Sequence, residues 1–301
     1  MAGAWEIRLN LVWPETCPSE MTVMSFLSRL VLPAIAASLL VLGLPKAVQA
    51  DEPTNVDLGR IMFLGNSFIE GHYSDNLSWQ GGSRKVIEDI LIKEGATFSF
   101  VGRRTANSEG MKNPAHNGFG GKGIDELFNG VEVDGQAFGN ITDWLNESLA
   151  DIYIIDIGRK TEEGSTKEEL KTQFMRVVKE IYAATPSAKI IWSEQTIAKP
   201  EWYPGIEKRH DLINEVLKEI ASEQAEAGRW MKIAEVAGGW DPLKHLDTDG
   251  VHASDAGYLY LGQKQAELLV GTTVYPVPEP GLMLLLPAGI LLAKKFKKKS
   301  A

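Results

Sequence analysis

The sequence predicts a three-layer α/β/α sandwich on a mainly parallel, five-stranded sheet. Three observations carry that expectation. Short apolar runs recur at residues 60–64, 98–101, 152–157, 189–192 and 231–236. Amphipathic helical stretches alternate with them, the order that lays parallel strands side by side. The runs are apolar throughout, as strands covered on both faces should be.

Each element has a local reason. Residues 60–64 (RIMFL) read as a buried strand ended by Gly65. Residues 83–93 put Val86, Ile87, Ile90 and Leu91 on one helical face. Residues 98–101 follow as a second strand. Residues 103–140 are glycine-rich and read as a long irregular loop, a length usually kept for function. Residues 152–157 (IYIIDI) are the clearest strand. Residues 166–184 open on a capping box of Thr166 and Glu169, with Leu170, Phe174, Val177, Val178 and Ile181 as the apolar stripe. A strand at 189–192 follows Pro186. Residues 210–226 are amphipathic through Ile213, Val216, Leu217 and Ile220. The strand at 231–236 precedes a last helix at 254–269, with Ser254 as its N-cap.

Of 301 residues, 44% are hydrophobic and 24% charged, which excludes collagen-like, low-complexity and wholly disordered chains. Both ends depart from that average. Residues 30–44 (LVLPAIAASLLVLGL) follow Arg29 and lead to Val48-Gln49-Ala50, the pattern of a secretory signal cleaved after Ala50 by signal peptidase. Residues 1–20 do not look like a signal start, and Met21 or Met24 is the more natural initiator. Near the other end, Val277-Pro278-Glu279-Pro280 leads into an apolar run at 281–293 and a lysine-rich tail. As a helix that run reaches only about 20 Å, short of a bilayer core of about 30 Å. It suits transient membrane contact, with the lysines on the cytoplasmic side. The chain is therefore expected to divide into an extension and signal (1–50), an α/β domain (51–272) and a C-terminal membrane-contacting segment (273–301).

The formal charge of the chain is -9. Residues 51–275 alone carry about -13. That balance argues against a nucleic-acid partner and disfavours anionic substrates at long range. Cys17 is the one cysteine, so neither an intrachain disulfide nor a cysteine zinc site can form.

Ligands in such sheets bind beyond the carboxyl ends of the strands. Gly65-Asn66-Ser67-Phe68 sits there, after the first strand. A serine at a strand-to-helix turn has an exposed hydroxyl beside helical amides that can receive a developing oxyanion. It is equally a common N-cap. Asp249 and His252, three apart before the last helix, can supply a base and its orienting carboxylate. Separately, they also read as a cap and a loop histidine.

In this order the two blocks, LGNSFIEG and DGVHASDAGY, resemble the SGNH/GDSL hydrolase family, whose flavodoxin-like sandwich matches the expected fold. The resemblance covers residues 58–270. It implies that Ser67 is the nucleophile, His252 the base and Asp249 its partner. His116-Asn117-Gly118-Phe119-Gly120-Gly121 is similar to a carbohydrate-esterase form of the family, which makes the amides of Ser67 and Gly121 oxyanion donors. Lys160 stands where the family has an asparagine donor. It is either a charged replacement or the mark of a site reserved for binding. Asn66, Trp202 and Trp240 are the candidate substrate contacts. His72 and His210 read as surface residues. His245, Asp247, Asp249 and His252 are metal-type residues, but Asp249 is better used beside His252, and neither metal nor cofactor is expected.

The tail is similar to a PEP-CTERM sorting signal. That likeness implies processing by an exosortase-type protease, in a Gram-negative bacterium that exports polysaccharide. The reading that results is a serine esterase exported across the inner membrane to the cell surface or beyond. Its expected substrate is a small acyl ester, with O-acetylated polysaccharide first. A non-catalytic glycan-binding protein is the rival, and a lipid-acting esterase with an apolar acyl groove is a third.

Overall fold

The computed structural model describes residues 56–72, 81–159, 164–196, 198 and 206–271. The expected signal and sorting segments, Lys160 and Trp202 lie outside the described residues.

In chain order, β1 (Asp57–Gly65), α1 (Ser67–Glu70), α2 (Ser83–Lys93) and β2 (Thr97–Val101) come first. They are followed by β3 (Asn117–Gly118), α3 (Ile124–Asn129), β4 (Val131–Val133), β5 (Gln136–Gly139) and α4 (Ile141–Glu147). Next are β6 (Ile152–Asp156), α5 (Lys167–Ala184), β7 (Lys189–Ser193), α6 (Ile206–Glu226) and β8 (Trp230–Ala234). Two helices, α7 (Pro242–His245) and α8 (Asp255–Val270), finish the described chain.

The sheet runs β2-β1-β6-β7-β8, parallel throughout. This is the expected α/β sandwich, with each of the five anticipated strands present. Side chains alternate across it. Met62, Leu64, Tyr153 and Ile155 pack beneath α4, α5 and α6. Ile61, Phe63, Ile152 and Ile154 pack beneath α2 and α8. Each such buried aliphatic or aromatic side chain contributes about 1.5–3 kcal/mol relative to exposure. The apolar runs are continuous because both faces are covered.

The glycine-rich segment is more ordered than its composition suggests. β3 adds a sixth strand, pairing Asn117 and Gly118 with Leu64 and Gly65. β4 and β5 form a hairpin around Asp134-Gly135, with φ of 52° and 79°. Two positive φ values define the type I′ turn that Asp-Gly favours. Elements of two to six residues fall below the window in which periodicity is visible.

Among the described residues, no helix is long and apolar enough to cross a membrane.

Candidate active site

β1 delivers Ser67 to the C-terminal rim of the sheet. A Cβ on Gly65 would sit 2.3 Å from the Asp156 carbonyl oxygen. Glycine therefore permits the close approach in which the Asn66 amide donates to that oxygen at 3.2 Å. Asn66 then caps α1, its Oδ1 accepting from the Phe68 amide at 3.0 Å. It is a structural cap at the floor of the cleft as well as a lining residue.

Ser67 Oγ lies 3.0 Å from His252 Nε2. His252 Nδ1 lies 2.6 Å from Asp249 Oδ2. The other Asp249 oxygen accepts from the Val251 and His252 amides, each at 2.9 Å. Partial burial works against the Asp249 charge. The hydrogen bonds from the His252 ring and the two amides outweigh it and hold the carboxyl below its ordinary value. The loop that carries both residues is pinned by an antiparallel bridge between Leu246 and Ala253. A carboxylate that accepts from Nδ1–H leaves Nε2 free to take the serine proton.

Ser67 and Gly121 both line the cleft, and their backbone amides have no intrachain acceptor among the described residues. Asn66 donates to Asp156, Phe68 to the Asn66 side chain, Gly120 to Glu70 and Lys122 to Phe119. The Ser67 and Gly121 amides between them are left over. Gly121 lines the cleft beside Ser67. Amides without an intrachain acceptor are available to a ligand oxygen.

Buried charge holds the Gly118–Gly121 loop against α1. Glu70 is 8% exposed and accepts from the Gly120 amide at 2.6 Å. Its other oxygen meets Arg104 at 2.8 Å, and Arg104 donates on to the Gly118 carbonyl at 2.9 Å. His116 accepts from the Gly118 amide through Nδ1 at 3.0 Å, so its Nε2 donates to the Ala106 carbonyl. Burial first, then Arg84 and Arg104, keep this imidazole well below its ordinary pKa, and hence neutral. Arg84, wholly buried, donates to the carbonyls of Ile69, Glu70, Asn107 and Pro114 and ties α1 to the 104–114 loop. Its desolvation lowers its pKa to about 9.

The cleft encloses about 830 Å³. Its lining includes two histidines expected at the surface, and charged residues with no sequence signal. His72 stands with its ring 5.9 Å from that of His252, in the cleft wall rather than on open surface. Burial lowers its pKa. His210 is likewise not a surface residue: it is 1% exposed and lines the cleft. It lies three residues before Ile213 and seven before Leu217, a spacing that already put it on the inward face of α6. Arg159 lies over the Phe68 ring at 3.7 Å. Glu70, three residues after Ser67, carries no such sequence signal, because its partners lie 34 and 50 residues away.

Trp240 is corrected. It does not line the cleft. It is 7% exposed and packs against His245 and Tyr260, covered by α8. A loop position in sequence says nothing about which helix later covers it. His245 stacks on Tyr260 and accepts from the Asp241 amide. Among the described residues, no group of three His, Cys, Asp or Glu side chains is arranged to hold a metal ion.

Neither a family model nor a curated protein matches the chain. Solved structures do. The fold is similar to the Clostridium thermocellum family 3 carbohydrate esterase at 20% identity and a TM-score of 0.53, covering 69% of this chain and 92% of that one. It is similar to a family 3 carbohydrate esterase from Talaromyces cellulolyticus at 18% identity and a TM-score of 0.56, covering 70% and 96%. A member of the lipolytic G-D-S-L family from Veillonella parvula matches at 15% identity and a TM-score of 0.50, covering 70% and 98%. At these identities the likeness establishes the fold alone, an α/β/α sandwich.

Proposed function

We propose that this protein is an exported serine esterase of the SGNH/GDSL type, acting on small acyl esters and foremost on O-acetyl groups of a polysaccharide. One observation carries the reading: the hydrogen-bonded line from Asp249 through His252 to Ser67, at 2.6 and 3.0 Å. Ser67 Oγ attacks the ester carbonyl while His252 Nε2 takes its proton. The tetrahedral oxyanion is received by the Ser67 and Gly121 amides. His252 then protonates the leaving alcohol, giving an acyl-Ser67. Water, deprotonated by the same imidazole, attacks the acyl carbon and releases the acid and free Ser67.

Polysaccharide as substrate is supported by the HNGFGG likeness and by the carbohydrate esterases among the similar folds. Export rests on residues 30–50, and surface sorting on the Pro-Glu-Pro tail. A glycan-binding protein on the same fold is the second reading, favoured by Lys160 at the place of the asparagine donor. Hydrolysis of p-nitrophenyl acetate by the purified protein and by Ser67→Ala separates the two. The esterase reading expects turnover that the substitution abolishes. Equal background rates from both folded proteins leave the binding reading.

A further inference from the structure

One wall of the cleft carries chemistry that ester cleavage at Ser67 does not use. Arg209 and His210 stand early in α6, and Arg159 follows β6. All three line the same cleft as Ser67 and His252. Neither ring nitrogen of the buried His210 has a partner in hydrogen-bonding geometry among the described residues, although the Thr196 backbone is close. Burial, with Arg159 and Arg209 beside it, pushes this imidazole down to about 3. It is therefore neutral at pH 7 and has one N–H to give. A buried donor held in poor geometry against the Thr196 backbone is under-satisfied, and a ligand oxygen would complete its hydrogen bonding.

Among the described residues, this wall of the cleft carries two guanidinium groups, Arg159 and Arg209. Arg159 donates to the Thr196 carbonyl and hydroxyl at 2.8 and 3.0 Å. The Asp156 carboxyl is 3.8 Å away. Complete burial raises that carboxyl to about 6, so at pH 7 it is still mostly ionised and offsets part of the Arg159 charge. Lys122 adds a cation from the glycine loop. Of the acids lining the cleft among the described residues, Glu70 is taken by Arg104 and Gly120, and Asp134 is exposed. A cationic wall inside a strongly acidic domain is a local exception to its long-range field, and low-dielectric walls strengthen it.

We propose that Arg159, Arg209 and His210 form an anion-binding subsite, so that the ester taken by this cleft is an acylated acidic sugar. The inference rests on the esterase reading and names its substrate class. The anion is a carboxylate, as in a uronate, or a sulfate ester, both of which match a guanidinium fork beside a neutral N–H donor.

Acetate release by the full-length protein is compared on three O-acetylated methyl glycosides: a glucuronide, a glucoside 6-sulfate and the uncharged glucoside. The expected kcat/KM is about tenfold higher for at least one anionic glycoside, the charge-assisted gain of one such subsite. The preferred arm identifies the anion. Arg209→Met, on a partly exposed helical position, should cut the anionic-to-neutral ratio at least about fivefold. Equal kcat/KM on all three, no release from either anionic glycoside, or a ratio unchanged in Arg209→Met overturns the subsite. Ser67-dependent hydrolysis of p-nitrophenyl acetate, run alongside, tells that failure from failure of the esterase reading itself.

Discussion

At the N-terminal rim of the sheet, the polar groups serve the fold. Asp151 accepts from the Arg60 amide at 2.8 Å, Asp57 accepts from the Gly59 amide at 3.0 Å, and the Lys189 amide donates to the Asp151 carbonyl at 2.9 Å. At the C-terminal rim, several groups are left over. The Ser67 and Gly121 amides lack an intrachain acceptor among the described residues, His210 has no partner in hydrogen-bonding geometry there, and Asp156 is a buried carboxyl raised to about 6. The same strands build both rims. The difference is that the strand-to-helix turns converge at one end only, and there the backbone leaves donors without intrachain acceptors in residues that line a cleft. Unspent polar groups are a stability cost, and their concentration at one rim marks where a substrate would supply the missing partners.

The comparison can be broken at four points. The largest effect is expected from Asp249→Asn, which keeps the loop bonds that an amide oxygen can accept but turns the His252 tautomer. Esterase kcat should fall by about 10⁴ while the thermal midpoint moves little. A fall below tenfold would remove Asp249 from the proton relay. Glu70→Gln comes next. It weakens the anchor on Gly120 and Arg104 and so loosens the Gly121 amide. A fall of about 10–100-fold in kcat with KM nearly constant is the signature of a positioning residue. A change confined to KM would mean that Glu70 contacts substrate instead.

The third is a pH effect. Burial raises the Asp156 carboxyl from 3.8 to about 6, so the folded state holds its proton longer than the unfolded state does. Its penalty is absent below the unfolded value and grows as pH rises from about 4 to about 6. At roughly 1.4 kcal/mol per unit, the urea-derived stability of the parent should fall by about 2–3 kcal/mol more than that of Asp156→Asn across this window. Parallel profiles would show that Asp156 does not titrate there. The smallest effect belongs to the opposite rim. Asp151→Ala should cost about 1–2 kcal/mol of stability and leave kcat/KM unchanged. A loss of activity without loss of stability would erase the distinction between the rims.

Much of this arrangement was legible before the structure. The five strands announced themselves because both faces are buried, so apolarity is continuous along each. Ser67, Asp249 and His252 sit in local blocks whose spacing is itself the chemistry. What failed to show was long-range. Glu70 meets Arg104 and Gly120 only once β1 and β3 pair, and no short window contains all three. Trp240 read as a free loop aromatic, because the α8 side chains that cover it come later in the chain. His210 taken singly reads as a surface residue, although its spacing to Ile213 and Leu217 places it on the inward face of α6. The hairpin also left a mark, Asp134-Gly135, between runs too short for periodicity to count.

The central claim is that Ser67 is a nucleophile activated through His252. Treatment with an alkyl fluorophosphonate tests it directly, because Ser67 Oγ would displace fluoride and keep the phosphonyl group. Intact-mass measurement should show one adduct, mapped to the peptide containing Ser67 and absent from Ser67→Ala and His252→Ala. No adduct on the folded protein, or one that persists in Ser67→Ala, would contradict the account.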